Sequence, residues 1–307
     1  MTQAPVGFVG IGNMGLAMAL RLRDGGHAVR VHDVDAAREQ AALAYGATAH
    51  ADAAAVARGC ALLIVAVVDA AQTEAVLFGP GGAVEGLARG ATVMLCPTIA
   101  PRTVEACAVR LAGRGIHTID APMSGGPLRA RDGTMSLMVA CADAPFERWH
   151  GVLQQLSTRL FRIGTRPGDG ARTKLVNNLL AAVNLAGAAE ALALARHLGL
   201  DPAATLAVIE QSSGQSWIGS DRMRRALAAD PTVQAHMTLL AKDSALALSM
   251  AADAGMPQLL GRAAAAHFAA ACADGLAGAD DSSLWAWCFD RLRPTAGGGA
   301  GAPESAP

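Results

Sequence analysis

The sequence predicts an α/β domain built on a doubly wound, mostly parallel sheet, followed by an all-α domain. Three observations carry that expectation. A glycine-rich turn, GIGNMG at residues 10–15, joins a short apolar run to an amphipathic stretch. Unbroken apolar runs of strand length, ALLIVAVV (61–68) and ATVMLC (91–96), alternate with helical patterns, as strands covered on both faces do. Beyond Ala195 the strand pattern stops while helical stretches continue. The expected division is 1–166 for the sheet domain, 167–293 for the helical domain and 294–307 for a tail.

In the opening segment, VGFVGIGNMGLAMALRLRDGGHAVRVHDVD, a strand at Val6–Val9 runs into Gly10, Gly12 and Gly15. An amphipathic helix follows to about Asp24, then a Gly25-Gly26 break and a second strand, Ala28–His32, ending at Asp33. Gly10 permits the tight turn, Gly12 lets backbone N–H groups approach a pyrophosphate, and Gly15 lets helix and strand pack closely. The full order of strand, glycines, helix, strand and acid marks a Rossmann-type dinucleotide site, with Asn13 and Met14 inside the loop. A carboxylate at Asp33 accepts both ribose hydroxyls and repels a 2′-phosphate, which favours NAD over NADP. Arg30 and Arg38 nearby oppose that preference, and Asp33 also suits the cap of the next helix.

Residues 36–58 read as alanine-rich helix, Ala61–Val68 as a buried strand, Asp69–Phe78 as a helix and Ala91–Cys96 as a further strand. Ligands of open parallel sheets bind at the carboxyl ends of strands, which places Val67, Val68 and Thr98 by topology; Thr98 equally suits a cap for the helix from Pro101. A strand at Ile116–Asp120 delivers DAPMSGGPLRARDGTMSLMVA. Ser124, Gly125 and Gly126 expose consecutive N–H groups, either as a nest for a small carboxylate or as an ordinary turn. Asp132-Gly133 turns into a strand at Met135–Ala140, a helix starts at Pro145, and Leu160–Ile163 closes the sheet.

The stretch Gly168–Ala195 is a long, nearly all-apolar helix with one lysine and two asparagines near its start. A helix so apolar is buried along most of its girth, so Lys174 at its mouth is partly desolvated and favours the neutral amine, a proton acceptor. Asn178, one turn on, projects from the same face. Asn184 and Glu190 interrupt the apolar run, which suits a domain's central helix rather than a membrane span. Helical stretches follow at Pro202–Ser212, Ser220–Ala229, Val233–Ala254, Gln258–Ala273 and Ser282–Leu292. Trp217 and Arg222 are candidates for substrate recognition, with core packing the favoured role for Trp217. The tail from Pro294, rich in Gly, Ala and Pro, has too little apolar bulk to pack and is expected to be disordered.

At 307 residues, 52% hydrophobic, the chain can bury a full core, and its net charge of -1 gives no electrostatic footprint for nucleic acid or an anionic membrane surface. The six cysteines sit singly with no CxxC pair, which fits a reduced cytoplasm. The first strand starts too near Met1 to leave room for a signal peptide. The eight histidines have no metal-site spacing, so no metal is expected.

Four motifs in one order, VGFVGIGNMG, DAPMSGG, GDGARTKLVNN and LLAKD (Leu239–Asp243), resemble the β-hydroxyacid dehydrogenases, the 3-hydroxyisobutyrate dehydrogenase-like family, over residues 5–290. The resemblance implies reversible hydride transfer between NAD and a small hydroxy acid, with Lys174 as catalytic lysine and Asn178 orienting the substrate. It makes Ser124, Gly125 and Gly126 the cradle for the substrate carboxylate. Lys242 matches the lysine near the nicotinamide end, and Val67, Val68, Gln72 and Thr98 match the edge of the NAD site. Leu95, Pro97 and Val67-Val68 depart from the usual residues there. VVDAAQTEAVLFG, FRIGTRPGDG and SSGQSWIGSDRMR point to L-threonate or a related four-carbon sugar acid, with 3-hydroxyisobutyrate and tartronate semialdehyde as alternatives. The family further implies a homodimer or homotetramer. Imine reduction is disfavoured, because such relatives usually lack this lysine. A non-catalytic nucleotide sensor or scaffold needs neither Lys174 nor the cradle, and stands as the alternative of another class.

Overall fold

The computed structural model describes residues 4–291, so the expectations for the tail and for Leu292 fall outside the described residues. Strand β1 (Val6–Val9) leads through the glycine turn into α1 (Asn13–Asp24), and β2 (Val29–His32) follows. The segment expected as one helix at 36–58 is instead α2 (Ala36–Leu43), a two-residue edge strand β3 (Thr48–Ala49) and α3 (Ala53–Ala57). Gly46, at φ +81°, turns the chain after α2, and Asp52 caps α3 by accepting the Ala55 N–H at 2.7 Å. Alanine suits a helix at every position here; the break is set by that glycine and that cap.

Strand β4 (Leu62–Val65), α4 (Ala70–Phe78), β5 (Thr92–Leu95), α5 (Pro101–Ala112) and β6 (His117–Asp120) continue the alternation. Then come β7 (Met123–Ser124), a short α6 (Gly126–Asp132), β8 (Ser136–Ala140), α7 (Asp143–Leu156) and β9 (Arg159–Gly164). The sheet order is β3-β2-β1-β4-β5-β6-β8-β7, with β9 beside β8. The strands β1 to β6 are parallel; β8 runs antiparallel to β6 and β7 and parallel to β9. Period-two alternation explains the unbroken apolar runs. Leu62, Ile64 and Met94 face one core with Phe8, Met18 and Leu22, while Leu63, Val65, Val93 and Leu95 face the other with Val104 and Leu111.

The chain divides into two compact units. One takes the described residues to Leu179 together with Ala245–Pro257; the other takes Leu180–Ser244 and the residues from Gln258. Two helices run through the division, α8 (Asp169–His197) and α11 (Met237–Asp253). The second unit otherwise holds α9 (Pro202–Glu210), α10 (Trp217–Leu227), α12 (Leu259–Ala271) and α13 (Leu284–Arg291) around Leu185, Leu192, Met223, Leu240, Phe268 and Leu284. A single antiparallel bridge pairs His236 with Asp280. By length and composition α8 could cross a membrane; Leu175, Leu185 and Leu192 are buried, but Val176, Leu180 and Leu194 are more than half exposed, so the helix is not buried along most of its girth as its apolar composition suggested.

Glycine positions differ in what they tolerate. A Cβ on Gly15 would lie 2.1 Å from the Gly10 carbonyl oxygen, whereas one on Gly151 in α7 would meet open space. Gly15→Ala should destabilise the protein by about 1–3 kcal/mol. Gly151→Ala should stabilise it by about 0.5–1 kcal/mol. Urea unfolding of both variants checks the pair.

Candidate functional site

The loop after β1 is shaped by contact. Gly10 holds φ +85°, and a Cβ there would lie 2.8 Å from Val67 Cγ1 and 2.9 Å from the Ala66 carbonyl, at the end of the neighbouring β4. Gly15 brings α1 down onto Gly10. Leu16 N–H bonds the Gly12 carbonyl at 2.9 Å, so those of Asn13, Met14 and Gly15 come before the helix's own ladder. Asp33 is nearly buried; its Oδ2 accepts the Ile11 N–H at 2.7 Å and its Oδ1 the Asp35 N–H at 2.9 Å. The cap of α2 is Asp35, not Asp33. Arg38 Nη1 sits 3.9 Å from Asp33 Oδ2 and 3.3 Å from where a Gly12 Cβ would be, so a guanidinium flanks the acid.

Val67 and Val68 follow β4, and the Val68 N–H donates to Gln72 Oε1 at 3.0 Å on α4, which Asp69 caps. Thr98 follows β5, yet the residue at the cap of α5 is Ala100, with Pro101 in the first turn. The structure thus brings Gly10, Gly12, Asn13, Met14, Gly15, Asp33, Val67, Val68, Gln72 and Thr98 to the carboxyl ends of β1, β2, β4 and β5. That edge fits a dinucleotide: the missing side chains of Gly10 and Gly15 set the close turn, and the start of α1 offers its dipole to a pyrophosphate.

The second cluster lies past β6. Gly125 and Gly126 adopt φ +128° and +77°, which only glycine adopts readily, and α6 starts at Gly126 with Gly125 at its cap. This helix is too short, and too masked by Gly-Pro at its start, for periodicity to reveal. On α8, Lys174 and Asn178 are 7% and 8% exposed, one turn apart, and Asn177 Nδ2 donates to Asn178 Oδ1 at 3.0 Å.

The residue the sequence reading passed over is Asp120, at the end of β6. It is 1% exposed, and its Oδ2 accepts the N–H groups of Gly168 at 2.7 Å and Ala171 at 3.0 Å, under the first turn of α8. Burial pushes its carboxyl up to about 6, while the N–H groups of Ala171, Gly168 and Gly170 pull it back and the Asp169 carboxylate adds to the rise. The available signal was a helix opening behind a glycine, which has no side chain to satisfy its first N–H groups.

Other candidates lie in the second unit. Lys242 is on α11 with its Nζ 2.7 Å from Asp243 Oδ1. Arg222 is committed to structure: its Nε donates to Asp281 Oδ1 at 2.5 Å, and Asp221 takes another of its N–H groups. Trp217, favoured for core packing, is 46% exposed at the start of α10. Among the described residues no group of three or more His, Cys, Asp and Glu is arranged to hold a metal.

The strand order 3-2-1-4-5-6 with its glycine turn defines the class, a dinucleotide-binding α/β protein. The family pattern for the NAD binding domain of 6-phosphogluconate dehydrogenase matches residues 5–164, and that for the NAD-binding region of NADP-dependent 3-hydroxyisobutyrate dehydrogenase matches 168–288. L-threonate dehydrogenase of Cupriavidus necator is 35% identical, over 91% of this chain and 94% of its own. 3-Hydroxyisobutyrate dehydrogenase of Pseudomonas aeruginosa is 35% identical over 69% of this chain and 71% of its own. A crystal structure of 3-hydroxyisobutyrate dehydrogenase from Salmonella typhimurium superposes with a TM-score of 0.87 at 31% identity, covering 93% of this chain and all of that one. The chain belongs to the 3-hydroxyisobutyrate dehydrogenase family of NAD(P)-dependent hydroxyacid dehydrogenases.

The Asp120 carboxyl yields a sign for pH. Its value rises from 3.8 to about 6 on folding, so the stability it contributes is complete below about pH 4 and is lost as pH climbs through 6. Asp120→Asn removes that loss. The variant should gain roughly 3 kcal/mol relative to the native protein between about pH 4 and about pH 7, read by urea unfolding across that range.

Proposed function

We propose that the protein oxidises a small hydroxy acid with NAD, L-threonate or a related four-carbon sugar acid first, and that Lys174 is the proton acceptor. The observation that carries this reading is a lysine 7% exposed, one turn from an equally buried asparagine, in a chain that aligns over 91% of its length with L-threonate dehydrogenase of Cupriavidus necator. An uncharged amine at this position accepts a proton. The paired left-handed glycines, Gly125 and Gly126, support a backbone cradle for the substrate carboxylate with Ser124.

When bound, NAD supplies the hydride acceptor. Around it the chain's own groups divide the work. Gly10, Gly12, Asn13, Met14 and Gly15 hold the pyrophosphate, Asp33 takes the ribose hydroxyls, and Val67, Val68, Gln72 and Thr98 complete the cofactor contacts. Asp33 favours NAD, and the flanking Arg38 narrows its margin over NADP. The Ser124–Gly126 amides hold the acid's carboxylate, Asn178 orients its hydroxyl, and Lys174 removes the hydroxyl proton; in reverse Lys174 returns it.

Leu194, Leu198, Leu200, Val208, Leu259 and Leu260 of the second unit are each more than half exposed, which supports burial against a second copy as a homodimer or homotetramer. Six unpaired cysteines support a cytoplasmic setting.

Lys174→Ala should lower kcat by about 10²–10⁴-fold on L-threonate while NADH still binds, measured by steady-state assay and fluorescence titration. Native turnover in that variant removes Lys174 from the mechanism. A parallel screen of L-threonate, D-threonate, glycerate and 3-hydroxyisobutyrate with NAD and NADP tests the substrate.

A further inference from the structure

We propose that Asp120 is the positioning residue for Lys174: its carboxylate pins the first turn of α8 to the end of β6 and so fixes the amine relative to the loop that leaves the same strand. The inference rests on the reading of Lys174 as proton acceptor. Asp120 touches no reacting atom in it; the carboxylate acts through the helix.

The joint is tight on both sides. One oxygen, Oδ2, receives the Gly168 and Ala171 N–H groups. A Cβ on Gly170 would lie 2.8 Å from the Met138 carbonyl in the middle of β8 and 3.0 Å from Asp120 Cγ and Oδ2, so this turn lies directly on the end of β6 and the backbone of β8. Gly168 holds φ +103°, with Glu105 2.9 Å from where its Cβ would be. The Gly-Asp-Gly start of α8 is therefore explained residue by residue, with a glycine wherever the strands or the backbone conformation leave no room.

Asp169 does not share this task. Its carboxylate takes Arg172 Nη1 at 3.0 Å and is approached by Arg166, and Arg172 in turn donates to Glu105 at 2.5 Å. The acid that belongs to the helix is tied to neighbouring arginines, and the acid beneath the helix comes from a distant strand. Gly170, Lys174 and Asn178 recur at one-turn spacing, so they form one stripe along α8. Gly170 rests on Asp120, Lys174 is the next residue up the stripe, and Asn178 the one after. Ser124 ends β7, a few residues beyond Asp120. A carboxylate at this point thus sets the register of the stripe against the cradle, where displacement of about 1 Å costs about 10²-fold in rate.

Three variants test it on L-threonate with NAD, with amide exchange of the 168–178 segment as a readout independent of turnover. Asp120→Ala should lower kcat about 10²-fold, leave the NADH dissociation constant within about twofold, and speed exchange in that segment. Asp120→Asn, which keeps an acceptor oxygen, should restore kcat to within about tenfold of native. Gly170→Ala, which wedges the same joint from the helix side, should lose kcat as Asp120→Ala does, and it decides the matter if Asp120→Ala does not fold. Native kcat in Asp120→Ala or Gly170→Ala overturns the proposal, as does NADH affinity falling in step with kcat, or Asp120→Asn faring no better than Asp120→Ala. Native turnover in Lys174→Ala overturns the reading of the amine itself; a lost Lys174→Ala beside an unimpaired Asp120→Ala overturns the pin alone.

Discussion

A carboxylate oxygen beneath a helix start organises this protein. Asp120 Oδ2 accepts two N–H groups of the first turn of α8, in an interior where an ionised acid is costly unless donors surround it. Through that contact the last strand of the parallel series meets the helix that carries Lys174 and Asn178. The contact also dictates composition around it. Gly170 has no Cβ because the Met138 carbonyl and Asp120 itself occupy that space, and Gly168 takes a backbone conformation that other residues resist. Gly170 is thus a consequence of the acid that ends β6 and of the β8 backbone beside it.

The dinucleotide edge is built by a similar exclusion of side chains. Gly15 lets α1 descend to the Gly10 carbonyl, and Gly10 lets β1 end against Val67. Asp33 is drawn into the same fabric, since the N–H of Ile11 binds one of its oxygens. Asp33, proposed above to discriminate between cofactors, is therefore also a strut of the loop, its two oxygens held by the Ile11 and Asp35 N–H groups. Arg38, leaning on both Asp33 and Asp35, gives this edge a mixed charge that a bare acid would lack.

How much of this was legible follows from where each signal lives. Gly10, Gly12 and Gly15 report local backbone need, so their spacing, with the apolar strands on either side, revealed the nucleotide fold directly. Leu62–Val65 and Thr92–Leu95 were legible because strands covered on both faces leave no polar alternation. The residues from Ala36 to Arg58 misled, because alanine accepts a helix throughout and a two-residue strand is shorter than any period. Lys174 stood out as the one lysine at the mouth of an apolar helix. Asp120 did not, because the groups that explain it lie 48 and 51 residues further along the chain. Arg222 resembled a ligand contact in sequence; its partner Asp281 lies 59 residues away, and only the fold shows that the pair satisfies itself.

The separation between Asp120 and Gly168 also orders events during folding. Closing a loop of that length is an entropic cost met only after the intervening β7, β8, α7 and β9 have found their places. The nucleotide-binding strands β1 to β5 lie nearer the N-terminus and emerge first during synthesis, so they can assemble earlier. A nascent chain would then acquire its affinity for the dinucleotide ahead of a correctly seated Lys174, and the bound dinucleotide would act as a ligand that stabilises the partly assembled sheet while the remaining edge is completed.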